Sequence, residues 1–153
     1  MNNNNCLYSQ KKSMLYRIIY LSSGLKDLTS FDIKEILKKA KENNRSRDIT
    51  GVLLYLDKNF IQVLEGEKEN VIKLYEKINL DYRHKNVIKV IEGNIASRQF
   101  DKWEMGYIEI DSNDLKDLSE FKDFNFKNIF SKTDFIAETF LTTFLKSYRG
   151  SLK

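Results

Sequence analysis

The sequence predicts an α+β fold with the element order βαββαββ. Two stretches carry apolar residues at helical spacing, five short stretches are rich in β-branched and aromatic residues, and the two middle strands are separated by a turn too tight to hold a helix. At 153 residues the chain accommodates one domain with a core and one short appendage.

The first strand is read over residues 15–22. Leu15, Arg17, Ile19 and Leu21 share one face and Tyr16, Ile18 and Tyr20 the other, so both faces are largely apolar. Ser23-Gly24 ends the run. Thr29 or Ser30 can cap a first helix, with Asp32 placed to close a capping box on Thr29. Ile33, Ile36, Leu37 and Ala40 then form one buried stripe, and the same spacing continued from Ile36 and Leu37 reaches Asn43 and Asn44. Residues 49–57 and 59–65 read as a hairpin turning at Asp57-Lys58-Asn59. A second helix over residues 67–80 presents Val71, Leu74, Tyr75 and Ile78 as its stripe, and strands over 87–96 and 105–110 complete the set.

This order is that of a ferredoxin-like fold with an extra strand: a five-stranded mixed sheet with two helices on one face. Its consequence is that Ile19, Leu21, Ile61 and Val63 point to the face those helices leave bare. The tail offers a cover. Ala137, Phe140, Leu141, Phe144, Leu145 and Tyr148 fall on one helical stripe, with Ser131 or Thr133 able to cap its start. The expected organisation is a disordered Asn-rich leader over residues 1–14, a folded domain over 15–111, and a C-terminal helical extension over 112–153 that packs on the other face of the sheet.

Composition narrows the function. The net charge of +4 is spread thinly: +2 in residues 1–14, 17 cations against 16 anions over 15–111, and 7 against 6 over 112–153. A nucleic-acid binder concentrates its Lys and Arg on one face, whereas Lys38, Lys39 and Lys41 here alternate with acids at helical spacing, so no direct nucleic-acid partner is expected. Cys6 is the only cysteine and the chain has one histidine, which leaves neither a disulfide framework nor the ligands of a zinc site, and no metal is expected. The opening residues lack the apolar stretch of a signal peptide, and no run approaches a membrane span; a cytoplasmic protein with no membrane partner is expected.

Four polar residues are out of place in a core. Gln62 alternates with Phe60 and Leu64, so its amide points to an apolar face, where it costs a few kcal/mol unless partnered. Tyr20 carries a hydroxyl into the same environment. Asn43 and Asn44 have an ordinary explanation, since Asn is favoured where a helix ends in a left-handed conformation. Two in succession on the continued stripe nevertheless place two amides at the mouth of the space between helix and sheet. With Tyr20 and Gln62 they form a convergent hydrogen-bonding set in an apolar cleft, the arrangement that orients a planar heterocycle. Trp103 and Met105 share a parity at the start of the last strand and can join the cluster or simply pack in the core.

The segments LYRIIYLSSG, the NN preceding DITGVLLY, FIQVLEGE, DYRHKNV and FDKWEMGY, which span residues 15–110, resemble the BLUF family, blue-light sensors using flavin adenine dinucleotide. The resemblance implies that Tyr20 is the electron-donating tyrosine and Gln62 the glutamine that bridges it to the flavin. It implies that Asn44 binds the flavin C4 carbonyl and neighbouring ring edge, with Asn43 at a second pyrimidine-side contact. Met105 and Trp103 match the switch-strand methionine and its tryptophan neighbour. Ile36 and Ile78 match the aliphatic pair that sandwiches the ring. Lys77, Arg83 and His84 resemble the polar group near the ribityl and phosphate end, where cations favour an anionic pyrophosphate. Ala40 departs from the pattern, standing where some relatives have a serine near the ring.

The resemblance thus implies a blue-light photoreceptor, and not an enzyme, with FAD as cofactor and FMN or riboflavin as alternatives in recombinant material. In it, light drives electron and proton transfer from Tyr20, Gln62 is left rotated or tautomerised, and a new bond to the flavin C4 carbonyl shifts absorption to the red. The output implied is an altered contact with a separate effector or regulator protein, with a homo-oligomer expected. Two rivals stand beside this reading. One is a flavin-dependent redox enzyme, which would need a second substrate site; no dinucleotide-binding Gly pattern provides it. The other is a cofactor-free ferredoxin-like module that binds RNA or protein, and no basic-aromatic run of the RNA-binding kind is present.

Overall fold

The structure is a computed structural model and describes residues 14–25, 28–56 and 58–110. Its elements run β1 (Leu15–Gly24), α1 (Ser30–Ser46), β2 (Thr50–Leu56), β3 (Asn59–Glu67), α2 (Lys68–Asn79), β4 (His84–Asn94) and β5 (Gly106–Ile110). The strands form one five-stranded sheet in the order β4-β1-β3-β2-β5. β1 pairs antiparallel with β3 and β4, β3 antiparallel with β2, and β5 parallel to β2, which makes the sheet mixed. The predicted order and both helices are present.

Local signals account for most boundaries. Thr29 caps α1: its hydroxyl accepts from the Asp32 N–H at 3.3 Å while Asp32 Oδ2 accepts from the Thr29 N–H at 2.8 Å. Leu56 pairs with Asn59, so the hairpin is closed by a two-residue turn in which Lys58 has a left-handed φ of 66°. β1 runs past its predicted end and β4 starts ahead of its predicted start, stopping at Asn94 short of 96, because Ser23 and Gly24 gain partners in Asn59 and His84. Polar residues that read locally as a break are held in a strand by long-range pairing.

Both helices lie on the sheet face that carries Ile18, Tyr20, Leu53, Phe60 and Leu64, and Val71, Leu74 and Met105 complete that buried cluster. On the opposite face Ile19, Val52 and Val63 are fully buried, and Leu54 and Ile61 nearly so. Each buried aliphatic side chain of this size contributes about 2 kcal/mol. The terminal helix expected to cover this face, and the leader over 1–13, lie outside the described residues. Among the described residues, no helix is long and apolar enough to cross a membrane.

The stripe of α1 is less buried than its periodicity predicts. Only Ile33 and Asn44 are buried, while Ile36, Leu37 and Ala40 are half-buried. Ile36 and Ala40 pack against the core on one side and line a cavity on the other.

Candidate functional site

The cavity measures about 460 Å³ and lies between α1, α2 and the sheet. Tyr20 and Ser22 reach it from β1, Leu53 from β2, and Phe60 and Gln62 from β3. Ile36, Lys39, Ala40, Asn43 and Asn44 line it from α1, and Leu74, Lys77 and Ile78 from α2; Asp81, Arg83 and His84 complete its wall. Alternation along a strand explains the first set: Tyr20 pairs with Gln62 and Gln62 with Leu53, so all three side chains share a face.

Gln62 is the junction of the site. It is 6% exposed, its Oε1 accepts from the Tyr20 hydroxyl, and its Nε2 reaches Met105 Sδ at 3.5 Å. The predicted problem of a buried amide is solved by giving each end its own partner. Burial pushes the Tyr20 phenol well above the ordinary tyrosine value, and its ring meets Tyr75 edge-on at 5.5 Å. Burial therefore favours the neutral phenol of Tyr20 over its anion.

The two asparagines lie inside α1 and not at a left-handed end. The helix continues to Ser46, its C-cap Arg47 has a φ of −117°, and the left-handed residue is Asp48. Helix termination therefore does not explain the pair. Asn44 is 1% exposed and its Nδ2 donates to the Glu104 carbonyl at 2.5 Å, tying α1 to the residue before Met105. Asn43 Oδ1 accepts from Arg47 Nη1 at 3.2 Å.

Met105 and Trp103 part company. Met105 is buried beside Gln62, whereas Trp103 is 37% exposed and packs against Phe100 with ring centres 6.1 Å apart; neither is among the residues lining the cavity. The shared parity read from the sequence does not operate here because β5 begins only at Gly106, so the two residues precede the regular strand. Trp103 instead lies over Gly106, where a Cβ would collide with its ring.

Of the three groups expected as cations, Arg83 is paired and His84 is held neutral, and Glu42 of α1 also stands on the cavity wall. Arg83 Nε donates to both Asp81 oxygens, at 2.9 and 3.1 Å, and this pairing holds the Asp81 carboxyl below its ordinary value. Burial pushes His84 below the usual imidazole value against the opposing pull of Asp81, so it is neutral at pH 7. Lys77 remains, and Lys39, which sequence reasoning missed, adds a second ammonium at the mouth. Ser22 was also missed: it closes the strand read over residues 15–22 and shares the parity of Tyr20, but a serine at a strand end carries no sequence signal of a cavity position.

An open α+β sandwich with a lined cleft, three amide side chains and a buried phenol defines a binding domain for a planar, hydrogen-bonding cofactor. The family model of BLUF, sensors of blue light using FAD, matches residues 15–106, and the chain belongs to that family. Two relatives are photoactivated adenylate cyclase subunit alpha of Euglena gracilis, 37% identical over 58% of this chain, and the blue light- and temperature-regulated antirepressor BluF of Escherichia coli K12, 31% identical over 69%. The chain spans only 9% and 26% of their respective lengths. The photo-activated state of BlsA superposes with a TM-score of 0.65 at 30% identity, covering 88% of this chain and 94% of BlsA.

The matched residues are thus a blue-light-sensing, flavin-binding domain. The cavity fits such a group: its volume lies in the range of cofactor sites, Ile36 and Ile78 supply apolar walls from the two helices, and buried polar atoms face it.

Proposed function

We propose that this chain is a blue-light photoreceptor that holds FAD between α1 and α2 over the sheet, with the Gln62 amide as its switch. The observation that carries the reading is that one buried amide joins a phenol at one end to a thioether at the other. A flavin held there would supply the blue absorption and a transient acceptor for an electron from Tyr20; recombination would return electron and proton to Tyr20 and leave the Gln62 amide rotated or tautomerised. Oxidising a neutral phenol in an apolar site creates a cation that its surroundings do not solvate, so the proton departs with the electron. The hydrogen bond from Tyr20 gives that proton a route onto Gln62 Oε1.

Gln62 is suited to store the event because its two ends differ. Rotated, it presents its oxygen end in place of the N–H to Met105, and a thioether has no proton to donate, so the Met105 contact is lost; tautomerised, it keeps a single N–H on that nitrogen and the contact is weakened. Met105 directly precedes β5, and its neighbour Glu104 is held by Asn44, so a changed amide biases the entry to the edge strand. The two arrangements need differ by only a few kcal/mol for light to shift their populations.

FAD, and not FMN, is the cofactor favoured by the family's own chemistry and by Lys39 and Lys77, whose ammonium groups suit a pyrophosphate. The antirepressor's name speaks for an output made by contact with a separate regulator protein, and we propose the same here, for a cytoplasmic homo-oligomer without enzymatic activity of its own.

The test is the visible spectrum of the purified protein before and after blue illumination. A reversible red shift is expected in the wild type. Tyr20→Phe and Gln62→Leu are expected to stay yellow and lose the shift, and a normal shift in either variant overturns the roles assigned to them.

A further inference from the structure

Tyr75, on the stripe of α2, is an aromatic neighbour of Tyr20 for which the switch has no use. The two rings meet edge-on with centres 5.5 Å apart, and Tyr75 is half-buried and not among the residues lining the cavity. It therefore stands behind Tyr20 as seen from the flavin site. A second phenol at that distance is a competing electron source. An electron can pass from Tyr75 to an oxidised Tyr20, which takes back its proton from Gln62, while Tyr75 gives its own phenolic proton to water and becomes the radical in its place. Tyr20 is then restored from α2, and the recombination that turns the Gln62 amide is forestalled.

Lys89 stands where it opposes this leak. It pairs with Tyr20 across β1 and β4, so its side chain shares the face of Tyr20. Its Nζ lies over the Tyr75 ring, 5.4 Å from the ring centre. A cation over an aromatic face is held by the electrons of the ring, and withdrawing one of them forfeits that attraction. Tyr75 is thereby made harder to oxidise. Among the described residues no such cation lies over the Tyr20 ring, and the Tyr20 hydroxyl has in Gln62 an acceptor for its proton. The ammonium is also fixed in place: Glu92 Oε2 accepts from it at 2.8 Å and from the Tyr16 hydroxyl at 3.0 Å.

We propose that Lys89 is a positioning residue of the photochemical step: its ammonium over the Tyr75 ring confines oxidation to Tyr20, so that the vacancy is filled by recombination through the Gln62 amide and not from α2. This rests on the flavin reading given above.

The test uses the flavin-loaded, full-length chain under blue light, with two readouts. One is the quantum yield of the red shift; the other is mass spectrometry of the peptide carrying Tyr75 after illumination with a spin trap. The wild type is expected to shift and to carry no adduct at Tyr75. Lys89→Met, which keeps the length of the side chain and removes its charge, is expected to lower the yield about twofold to fivefold, the factor an exposed cation–π contact supplies, and to place an adduct on Tyr75. Lys89→Arg is expected to match the wild type in both. Tyr75→Phe keeps the ring without a phenol; alone it is expected to leave the yield unchanged, and in the Lys89→Met background to restore it, which a merely structural role for Lys89 would not allow. An unchanged yield in Lys89→Met, an unmarked Tyr75 in that variant, or a loss that Tyr75→Phe fails to restore overturns the proposal and leaves the flavin reading intact. A wild type that binds no flavin or shows no red shift overturns the flavin reading, and the role of Lys89 with it.

Discussion

The two ends of the Gln62 amide are committed to neighbours of opposite character, a phenol that can give a proton and a thioether that cannot. Leu64 and Phe60 on the same strand face pack as readily but hold no orientation, so the switching property belongs to this one side chain. His84, the only histidine in the chain, poses a second question at this scale. Its folded pKa is depressed by burial, so the unfolded chain binds more protons in mildly acid solution. The stability it contributes is fully present above about pH 6.5, the unfolded value, and is lost as pH falls through the lower folded value. The single imidazole resonance in a proton NMR titration is expected to turn over below about pH 6.5. A midpoint at or above that value would show that His84 is not held in a dry site.

β3 carries two functional side chains on opposite faces. Gln62 points to the cavity, and Glu65, three residues on, is fully buried on the other side. Glu65 Oε1 accepts from Arg17 Nε at 2.8 Å, and its Oε2 accepts from the Gln99 and Phe100 N–H groups at 2.8 and 3.0 Å. The segment leading to β5 is thereby anchored at residues 99 and 100. Its far end is held by the Gly51 N–H, which donates to the Trp103 carbonyl at 3.0 Å, and by Asn44. Residue 51 must be glycine for this, because a Cβ would strike the Val63 carbonyl. The anchor and the switch thus sit on one strand and hold the same connection. Glu65→Gln withdraws a buried charge from the guanidinium and two backbone donors, and is expected to cost about 3 kcal/mol in urea unfolding. The double variant Arg17→Met with Glu65→Gln, which removes both charges at once and keeps an amide oxygen for the two backbone donors, is expected to cost less than the single change. A single variant as stable as the wild type would show that the ion pair contributes nothing net.

At the scale of the whole molecule the sheet has two apolar faces, and the described helices cover one. The tail stripe from Ala137 to Tyr148 remains the proposed cover for Ile19, Ile61 and Val63. Removal of residues 131–153 is expected to turn a well-behaved protein into an aggregating one by size-exclusion chromatography; a soluble, folded monomer would defeat that assignment. Strand and helix order, the capping box at Thr29, the tight turn at Lys58, and the convergence of Tyr20, Asn44 and Gln62 were all legible in the sequence, because periodicity and capping are properties of neighbours along the chain. Fates that depend on residues distant in sequence were not. Ser22 lies on the cavity wall opposite Phe60, Arg83 pairs its charge with Asp81 as the chain turns between α2 and β4, and Trp103 packs against Phe100 ahead of β5. A side chain's face follows from local alternation, but its hydrogen-bond partner follows from register between strands far apart in sequence, and only the folded chain decides that register.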